Sequence, residues 1–194
     1  MGESPDYFVH ASSYVDQPCK IGKGTKIWHF CHIMAGSEIG ERCNFGQNVL
    51  VSTGVKLGNN VKVQNNVSLY TGVICEDDVF LGPSMVFTNV LNPRSGVIRK
   101  NEYKETWLEK GVSVGANATL VCGIRLGKYS FVGAGTVVTK SYPAYSLIVG
   151  NPGRQVGWMS EMGQKLVFAE TGEAICPESG QVYSLENHIV SRIS

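Results

Sequence analysis

Large apolar residues recur at every sixth position through the first half of the chain. This period is neither the two residues of an ordinary strand nor the 3.6 residues of a helix. The position four residues later is small or β-branched, as in Cys31 after Ile27. Each six-residue unit is too short to bury an apolar face alone, so the pattern predicts a solenoid of stacked coils. The apolar series is Val9, Val15, Ile21, Ile27, Ile33, Ile39, Phe45, Val51, Leu57, Val63, Leu69, Cys75, Leu81 and Phe87.

The six-residue phase is lost after Phe87 and returns from Val114 to Val138. Between them we expect a long inserted loop at about 92–111, rich in basic residues and containing Tyr103 and Trp107. A loop this long in a compact domain is usually functional or disordered. The two aromatic residues favour an ordered, functional loop, although an insertion that is merely tolerated is the alternative.

This repeat resembles the hexapeptide repeat of left-handed parallel β-helices, in which three hexapeptides form one triangular coil of eighteen residues. The resemblance implies an all-β fold with a catalytic β-helix over residues 1–150 and a C-terminal extension over 151–194. Within the extension we expect a short helix at about Gln155 to Met162, because the last coil has an open edge that must be covered. Turn residues further on predict a small β-hairpin at the C-terminus.

Composition and charge exclude several classes of protein. The chain of 194 residues has a net charge of +1 and only 17% charged residues, which argues against a nucleic-acid or membrane-surface partner. No apolar run is long enough to span a membrane, and the start MGESPDYFVH does not resemble a signal peptide. We therefore expect a cytoplasmic protein.

The cysteines and histidines do not predict a metal site. Most of the six cysteines occupy inward positions of the repeat, where a free thiol behaves as a small buried hydrophobe. His29 and His32 are close along the chain, but no third histidine follows one coil later, as a zinc enzyme would need. We expect no metal.

Polar turn residues fall into columns when the chain is read in steps of eighteen. The second corner holds Ala35, Thr53, Thr71 and Asn89, and the third is charged, like a solvated edge. The first contains neutral groups that both donate and accept hydrogen bonds, which favours a sugar or nucleotide site. The alternative is an amide ladder that only satisfies the turn backbone. The first corner comprises His29 and Phe30, Gln47 and Asn48, Asn65 and Asn66, and Pro83 and Ser84.

The segment IVGNPGRQV, residues 148–156, resembles the G-x-P-A-[KR]-x-[IV] element that closes many CoA-dependent hexapeptide transferases, with Gly153 in place of the usual alanine. The resemblance implies that Pro152 and Arg154 contact coenzyme A, and an arginine suits its phosphates. Gly115 and Gly133, one coil apart, resemble the wall along which the pantetheine arm lies, although they could simply form corners. The predicted CoA-binding residues are Gly115, Gly133, Ala134, Lys140, Pro152 and Arg154.

The run GPSMVFTNVLNPRS, together with IWHFCHI, GQNV, VQNNVS and GWMSE, resembles bacterial nucleotide-sugar N-acetyltransferases of surface-polysaccharide synthesis. The resemblance extends over nearly the whole chain and is greatest to the UDP-2-acetamido-3-amino-2,3-dideoxy-D-glucuronate N-acetyltransferases. It implies transfer of acetyl from acetyl-CoA to the 3-amino group of a UDP-linked sugar, used for lipopolysaccharide O-antigen. It also implies a homotrimer with active sites between subunits.

Two residues are expected to take part in the reaction. His29 is suited to accept the amine proton because imidazole titrates near neutral pH. Alternatively, the departing CoA thiolate takes the proton and Asn89 only orients the amine, since an amide is no base at this pH. For the substrate, Arg94 and Arg99 are expected to bind anionic groups. The remaining predicted substrate-binding residues are Trp28, Gln47, Asn48, Asn65, Asn66 and Tyr103.

Two alternatives to this function stay open at the level of sequence. The acceptor could be another nucleotide-linked amino sugar, such as a dTDP-3- or 4-amino hexose. The protein could also be a non-catalytic β-helix that only binds its ligand, since fold alone does not define function.

Overall fold

The chain forms a three-sided prism of stacked coils built from very short parallel strands. The computed structural model describes residues 6–194; residues 1–5, which carry part of the signal-peptide expectation, lie outside it. Strands of neighbouring coils pair in a register of eighteen residues, as in Lys26 with Asn44 and Asn44 with Lys62. The predicted parallel β-helix is therefore confirmed.

The strands before the inserted loop are mostly two residues long, because a turn follows each of them. They are β1 (Phe8–Val9), β2 (Tyr14–Val15), β3 (Lys20–Ile21), β4 (Lys26–Ile27), β5 (His32–Ile33), β6 (Glu38–Ile39), β7 (Asn44–Phe45), β8 (Leu50–Val51), β9 (Lys56–Leu57), β10 (Lys62–Val63), β11 (Ser68–Leu69), β12 (Val73–Cys75), β13 (Phe80–Leu81) and β14 (Val86–Phe87).

The strands after the loop complete the prism and the C-terminal extension. They are β15 (Thr106–Leu108), β16 (Ser113–Val114), β17 (Thr119–Leu120), β18 (Arg125–Leu126), β19 (Phe131–Val132), β20 (Val137–Val138), β21 (Ser146–Val149), β22 (Arg154–Met159), β23 (Lys165–Leu166), β24 (Glu173–Ile175), β25 (Val182–Glu186) and β26 (Ile189–Arg192).

Each side of the prism is one parallel sheet. The first face contains β1, β4, β7, β10, β13, β16, β19 and β21; the second contains β2, β5, β8, β11, β14, β17 and β20; the third contains β3, β6, β9, β12, β15 and β18. The first corner joins the first face to the second, the second corner joins the second face to the third, and the third corner leads to the next coil.

The core lies inside the prism and consists of the residues that the repeat predicted. Ile27, Val63 and Leu81 are fully buried. Cys31 and Cys43 fill small inward positions, where each thiol lies within hydrogen-bonding distance of a backbone carbonyl. Burial raises the pKa of Cys31 and of Cys43, so both thiols stay protonated and unreactive.

The inserted loop is shorter than the predicted 92–111. It comprises residues 88–105, between β14 and β15, and includes a short 3₁₀ helix at Lys100–Glu102. Trp107 pairs with Ile74 in the third face, and Leu108 is fully buried. Leu108 lies six residues before Val114, so the hexapeptide phase returns one unit earlier than expected. The end of the predicted loop is therefore part of the prism.

The predicted helix at Gln155–Met162 is wrong, because β22 occupies this segment. It runs antiparallel to β21 and pairs Gln155 with Ile148 and Gly157 with Leu147. The last coil presents unpaired backbone N–H and C=O groups at its edge, and a strand can satisfy them whereas a helix cannot. Val156 and Gly157 also disfavour a helix.

The predicted C-terminal hairpin is confirmed and is extended by one strand. β24, β25 and β26 form a small antiparallel sheet, with Ala174 opposite Tyr183. Tyr183 is fully buried against Tyr145, which comes from the last coil of the prism. Across residues 6–194, none of the helical segments has the length and apolarity required to cross a bilayer.

Candidate active site

The first corner has a backbone conformation that explains part of its composition. Its second residue lies in the left-handed region, with φ values of 59° at Asn48 and 61° at Asn66. Asparagine enters this region more readily than most residues. Asn48 and Asn66 are therefore suited to the turn itself, whatever they bind.

The amides of the first corner form the ladder that the columns predicted. The backbone N–H of Gln47 donates to Asn65 Oδ1 at 2.8 Å. The side-chain amide of Asn48 donates to Asn66 Oδ1 at 3.0 Å. Both asparagine oxygens are thus directed along the prism axis toward the preceding coil.

The third corner contains the same ladder. The backbone N–H of Glu41 donates to Asn59 Oδ1 at 2.9 Å, and Asn60 Nδ2 donates to Asp78 Oδ1 at 2.8 Å. A ladder of this kind therefore stabilises the stacking of coils and does not by itself identify a ligand site. The first corner differs from the third in being uncharged.

His29 and Trp28 lie at the N-terminal end of the first corner, within an aromatic cluster. The rings of His29 and His10 are 3.6 Å apart between centroids, and Trp28 packs on Phe8 at 5.3 Å. Trp28 Nε1 donates to Asn44 Oδ1 at 3.0 Å. These contacts give both side chains a defined position, with His29 still exposed.

The inserted loop brings together four of the predicted site residues. Asn89, Arg94, Arg99 and Tyr103 line one cavity of about 470 Å³. The backbone N–H of Lys104 donates to the carbonyl oxygen of Asn89 at 2.9 Å and closes the base of the loop. Asn89 thus lies at the second corner, where the loop leaves the prism.

The cavity is cationic, and one of its arginines already has a partner. Arg99 Nη1 donates to both carboxylate oxygens of Glu102, at 2.8 and 2.9 Å. Arg99 Nε is buried and has no hydrogen-bond partner within the described chain. Arg94, Arg99 and Lys100 all line the cavity. Its chemistry therefore suits an anionic ligand.

The two groups of predicted substrate residues lie on different corners of the prism. His29 belongs to the coil that starts at β4, whereas Asn89 belongs to the coil that starts at β13, three coils later. With a spacing of about 4.8 Å between paired strands, the two residues are separated by about 14 Å along the axis. One chain therefore does not bring His29 and Asn89 together.

The glycines assigned to coenzyme A have a structural explanation. A Cβ atom at Gly115 would lie 2.5 Å from the backbone nitrogen of Ala134, and one at Gly133 would lie 2.9 Å from the side chain of Val149. Gly127, at the third corner, would meet the next coil just as closely. These glycines allow the coils to stack, so the column alone is not evidence for a pantetheine wall.

The remaining predicted CoA residues lie at the C-terminal end of the prism. The Gly153 N–H donates to the Val137 carbonyl at 2.7 Å, which holds the turn containing Pro152 against the last strand of the second face. Arg154 and Lys140 are both exposed, and the Lys140 ammonium lies 5.5 Å from the Tyr142 ring. Within residues 6–194, neither cation pairs with a carboxylate, and Arg154 Nη1 donates only to the Gly153 carbonyl oxygen at 3.2 Å.

The second face carries a signal that the corner columns did not include. Its outward strand residues contain no Asp, Glu, Lys or Arg in the described part of the chain, unlike those of the other two faces. Reading the sequence in steps of eighteen residues through the outward strand positions reveals this absence of charge. These residues are Tyr14, His32, Leu50, Ser68, Val86, Thr119 and Val137. Residues 6–194 hold no group of three or more His, Cys, Asp or Glu side chains that could bind a metal ion.

Two family models match the chain. The bacterial transferase hexapeptide model (six repeats) covers residues 18–53, and the hexapeptide repeat of succinyl-transferase covers residues 38–71 and 106–140. The chain is 22% identical to a hexapeptide-repeat acetyltransferase of Vibrio cholerae O1 biovar eltor solved with acetyl coenzyme A, with a TM-score of 0.57 over 64% of this chain and 72% of that one. This similarity shows the fold, and the repeat models confirm its predicted left hand.

Relatives by sequence extend the comparison to the whole chain. The dTDP-3-amino-3,6-dideoxy-alpha-D-galactopyranose 3-N-acetyltransferase of Aneurinibacillus thermoaerophilus is 41% identical over 186 residues, which is 96% of this chain and 95% of that protein. The galactoside O-acetyltransferase of Lactococcus lactis subsp. lactis (strain IL1403) is 33% identical over 60% of each chain.

Fold and repeat models together define the class of hexapeptide-repeat transferases. Within that class, the chain belongs to the nucleotide-sugar N-acetyltransferase family, because its similarity to the Aneurinibacillus protein extends over nearly the full length of both. It is therefore an acetyl-CoA-dependent enzyme, and the alternative of a non-catalytic β-helix is set aside.

Proposed function

We propose that the protein transfers the acetyl group of acetyl-CoA to the 3-amino group of a nucleotide-linked 3-amino sugar. The observation that carries this proposal is the full-length similarity to a 3-N-acetyltransferase. In the reaction the amine nitrogen forms a bond to the acetyl carbon, the carbon–sulfur bond breaks, and the amine proton passes to the CoA sulfur. The products are the 3-acetamido sugar nucleotide and CoA.

We further propose a homotrimer with its active sites between subunits. The uncharged second face lies between the first and second corners, so packing three second faces around a common axis would bury it. Each first corner would then lie beside the second corner of a neighbour. This arrangement would bring Asn65 and Asn66 of one chain toward the loop cavity of the next, near Asn89.

In this site we assign the CoA thiolate as proton acceptor and Asn89 as the residue that orients the amine. Rotation about the trimer axis does not change the height of a residue along it. His29 would therefore stay about 14 Å above or below Asn89 in any subunit pair. That separation supports a substrate-binding role for His29, away from the reacting amine.

We assign the loop cavity to the anionic groups of the sugar nucleotide. Arg94 has no carboxylate within ion-pair distance in residues 6–194, so it is free to bind a phosphate or a carboxylate. Tyr103, in the same cavity, is placed to cover a sugar or base face, and Trp28 offers a second aromatic surface at the first corner. Gln47 and Asn48 would contact the same ligand.

Acetyl-CoA is assigned to the C-terminal end of the prism, beside the same intersubunit site. Lys140 and Arg154 would pair with CoA phosphates, with Pro152 and Ala134 in contact with the cofactor. Gly115 and Gly133 would border the pantetheine arm. They are glycines mainly because the stacked coils leave no room for a side chain at these positions.

Two acceptors are supported by different observations. The 41% identical relative acts on a dTDP-linked 3-amino-3,6-dideoxy sugar, and Glu102 already neutralises Arg99, which favours a sugar without a carboxylate. The motif FTNVLNPRS favours the UDP-linked 2-acetamido-3-amino glucuronate of O-antigen synthesis. We place the dTDP-linked 3-amino-6-deoxyhexose first and the UDP-linked uronate second.

A thiol-release assay separates these acceptors. Purified protein is incubated with acetyl-CoA and either the dTDP-linked 3-amino-6-deoxyhexose or the UDP-linked 3-amino uronate, with the 4-amino isomer as the control for position. We expect release of CoA thiol with 3-amino sugars and at least ten-fold lower kcat/KM with the 4-amino isomer. Equal rates on 3- and 4-amino sugars would contradict the proposal, and a higher kcat/KM on the uronate would reverse our order.

A further inference from the structure

Two lysines on the first face lie in one column with an asparagine between them. Lys26, Asn44 and Lys62 are the first residues of β4, β7 and β10 and pair directly in register. The paired-strand spacing places the two lysine Cα atoms about 10 Å apart. Together with Arg42, these three residues line a groove of about 430 Å³, which we call the basic groove.

The third face contains a matched column in which the charges are balanced. Lys20, Glu38 and Lys56 have the same register, with a carboxylate in the middle position. Lys20 Nζ lies 3.3 Å from Glu38 Oε2. A carboxylate between two lysines thus supplies the negative charge that such a column favours.

The basic groove has an amide where the third face has that carboxylate. Asn44 is neutral, and its Oδ1 already accepts a hydrogen bond from Trp28 Nε1 at 3.0 Å. Within residues 6–194, no carboxylate lies within 4.0 Å of Lys26 Nζ or Lys62 Nζ. The middle of the column therefore carries no protein anion.

The rest of the groove does not supply one either. Arg42 Nη1 pairs with Glu41 at 2.8 Å, so these two charges cancel each other. Lys62 Nζ donates to the Arg42 carbonyl oxygen at 3.1 Å, which holds the ammonium group at the edge of the groove. Two like charges in one column repel each other, and an anion bound between them would offset that repulsion.

We propose that the basic groove binds a phosphate-containing anion between Lys26 and Lys62. A phosphate or diphosphate has several charged oxygens and can contact both ammonium groups at once, whereas one carboxylate reaches them less well. The bound anion would take the place in the column that the Glu38 carboxylate fills on the third face. This binding requires no catalysis and no second subunit.

Two sources of such an anion fit the position of the groove. Lys26 precedes His29 by three residues of extended chain, about 10 Å. A sugar nucleotide bound at the first corner could therefore place its diphosphate in the basic groove instead of the loop cavity, which would then hold only the other polar groups of the ligand; this assignment rests on the proposed function. The other source is a separate phosphorylated molecule that binds the groove independently of the substrate.

Calorimetric titration with inorganic pyrophosphate tests the site directly. The full-length protein is titrated at low ionic strength, without substrates. We expect saturable binding of one pyrophosphate per chain, weakened at least ten-fold in Lys26→Gln/Lys62→Gln. The matched control Lys20→Gln/Lys56→Gln changes net charge equally on the third face and should alter the affinity less than two-fold. Asn44→Glu, which copies Glu38, should abolish binding.

The outcomes that overturn the proposal are specific. Unsaturable binding to the unaltered protein would overturn the proposal. An equal loss of affinity in the two lysine double variants would overturn it as well. Asn44→Glu also replaces the side chain that accepts a hydrogen bond from Trp28 Nε1, so the melting temperature of each variant is measured. If Asn44→Glu melts early, the result for the lysine double variant decides. Since pyrophosphate binding is measured without turnover, failure of the proposed enzymatic function would not affect this result.

Steady-state kinetics then distinguish the two sources. If the groove holds the substrate diphosphate, Lys26→Gln/Lys62→Gln should raise the KM for the sugar nucleotide at least five-fold and leave that for acetyl-CoA unchanged. If both KM values are unchanged while pyrophosphate binding is lost, the ligand is a separate phosphorylated molecule. Either result is consistent with the anion site.

Discussion

The side-chain oxygen of Asn65 accepts a hydrogen bond from the backbone N–H of Gln47, one coil earlier, at 2.8 Å. Asn59 accepts the equivalent bond from Glu41 at the third corner, at 2.9 Å. The same bond thus occurs at two corners of the prism, and it stabilises coil stacking. A role for Asn65 in binding must therefore rest on its side-chain NH₂ group and on the uncharged residues around it.

This comparison leads to a prediction for the first corner. Asn65→Ala/Asn66→Ala should raise the KM for the sugar nucleotide at least ten-fold and that for acetyl-CoA less than two-fold. The control is Asn59→Ala/Asn60→Ala at the third corner. Both pairs should lose a similar free energy of unfolding, about 1 kcal/mol for each hydrogen bond removed. If Asn65→Ala/Asn66→Ala left both KM values unchanged, the amide ladder of the first corner would have only a structural role.

The separation of His29 and Asn89 predicts different kinetic effects for their variants. His29→Asn should keep kcat within about three-fold, because we assign the proton to the CoA thiolate and place the ring about 14 Å from Asn89 along the axis. Asn89→Ala should lower kcat by about 100-fold, the range of losses seen when a positioning group is removed. Single-turnover rates at saturating substrates are the measurement. A large fall in kcat for His29→Asn would restore it as the base.

Close packing at Gly115 predicts a strong effect on stability. An added Cβ would lie 2.5 Å from the backbone nitrogen of Ala134, and backbone atoms cannot move aside cheaply. Gly115→Ala should therefore lower the free energy of unfolding by about 2–3 kcal/mol. Gly96→Ala is the control, since an added Cβ there meets nothing within 4 Å. Its effect should stay within about 0.5 kcal/mol in urea titrations, and equal losses would contradict the packing explanation.

The junction between the prism and the C-terminal sheet should weaken at high pH. Burial, reinforced by the hydrogen bond that Tyr145 donates to Glu161 at 3.0 Å, raises the pKa of Tyr145. The unfolded chain loses this proton near pH 10, whereas the folded chain keeps it. Stability from this group is therefore complete below pH 10 and declines above it, by at most about 1.4 kcal/mol per pH unit.

The matching variant is Tyr145→Phe. Its free energy of unfolding should be about 1 kcal/mol lower at pH 8, since the hydrogen bond to Glu161 is lost. Between pH 10 and 11 its stability should fall less steeply than that of the unaltered protein. The same slope in both proteins would mean that Tyr145 does not contribute to the alkaline loss.

Much of the fold could be predicted because each hexapeptide repeats the same local requirement. An aliphatic residue must fill the prism and a small one must fit beside the turn, so Ile27 and Cys31 reveal their environment without tertiary information. The prediction was wrong at the ends of the repeat. Leu108 and the strand at Arg154–Met159 are stabilised by pairing with neighbouring coils, and such pairing leaves little local signal.

The candidate site was predictable only in part, for a related reason. Steps of eighteen correctly aligned Gln47 with Asn65, but they could not show that the Asn65 oxygen is used by the backbone. They also could not show that Asn89, Arg94, Arg99 and Tyr103 share one cavity, because the irregular loop has no period.

The amino-acid sequence alone determined the coil and its core, since both depend on residues repeated at a constant spacing, and its motifs indicated the family. Tertiary structure decided which polar groups are left free to bind a ligand. Lys20 and Lys26 each precede an isoleucine in the repeat, yet Glu38 neutralises the first, whereas Asn44 gives the second no carboxylate partner within residues 6–194. The difference depends on which residue lies one coil away, and a charge is balanced by its neighbours in space.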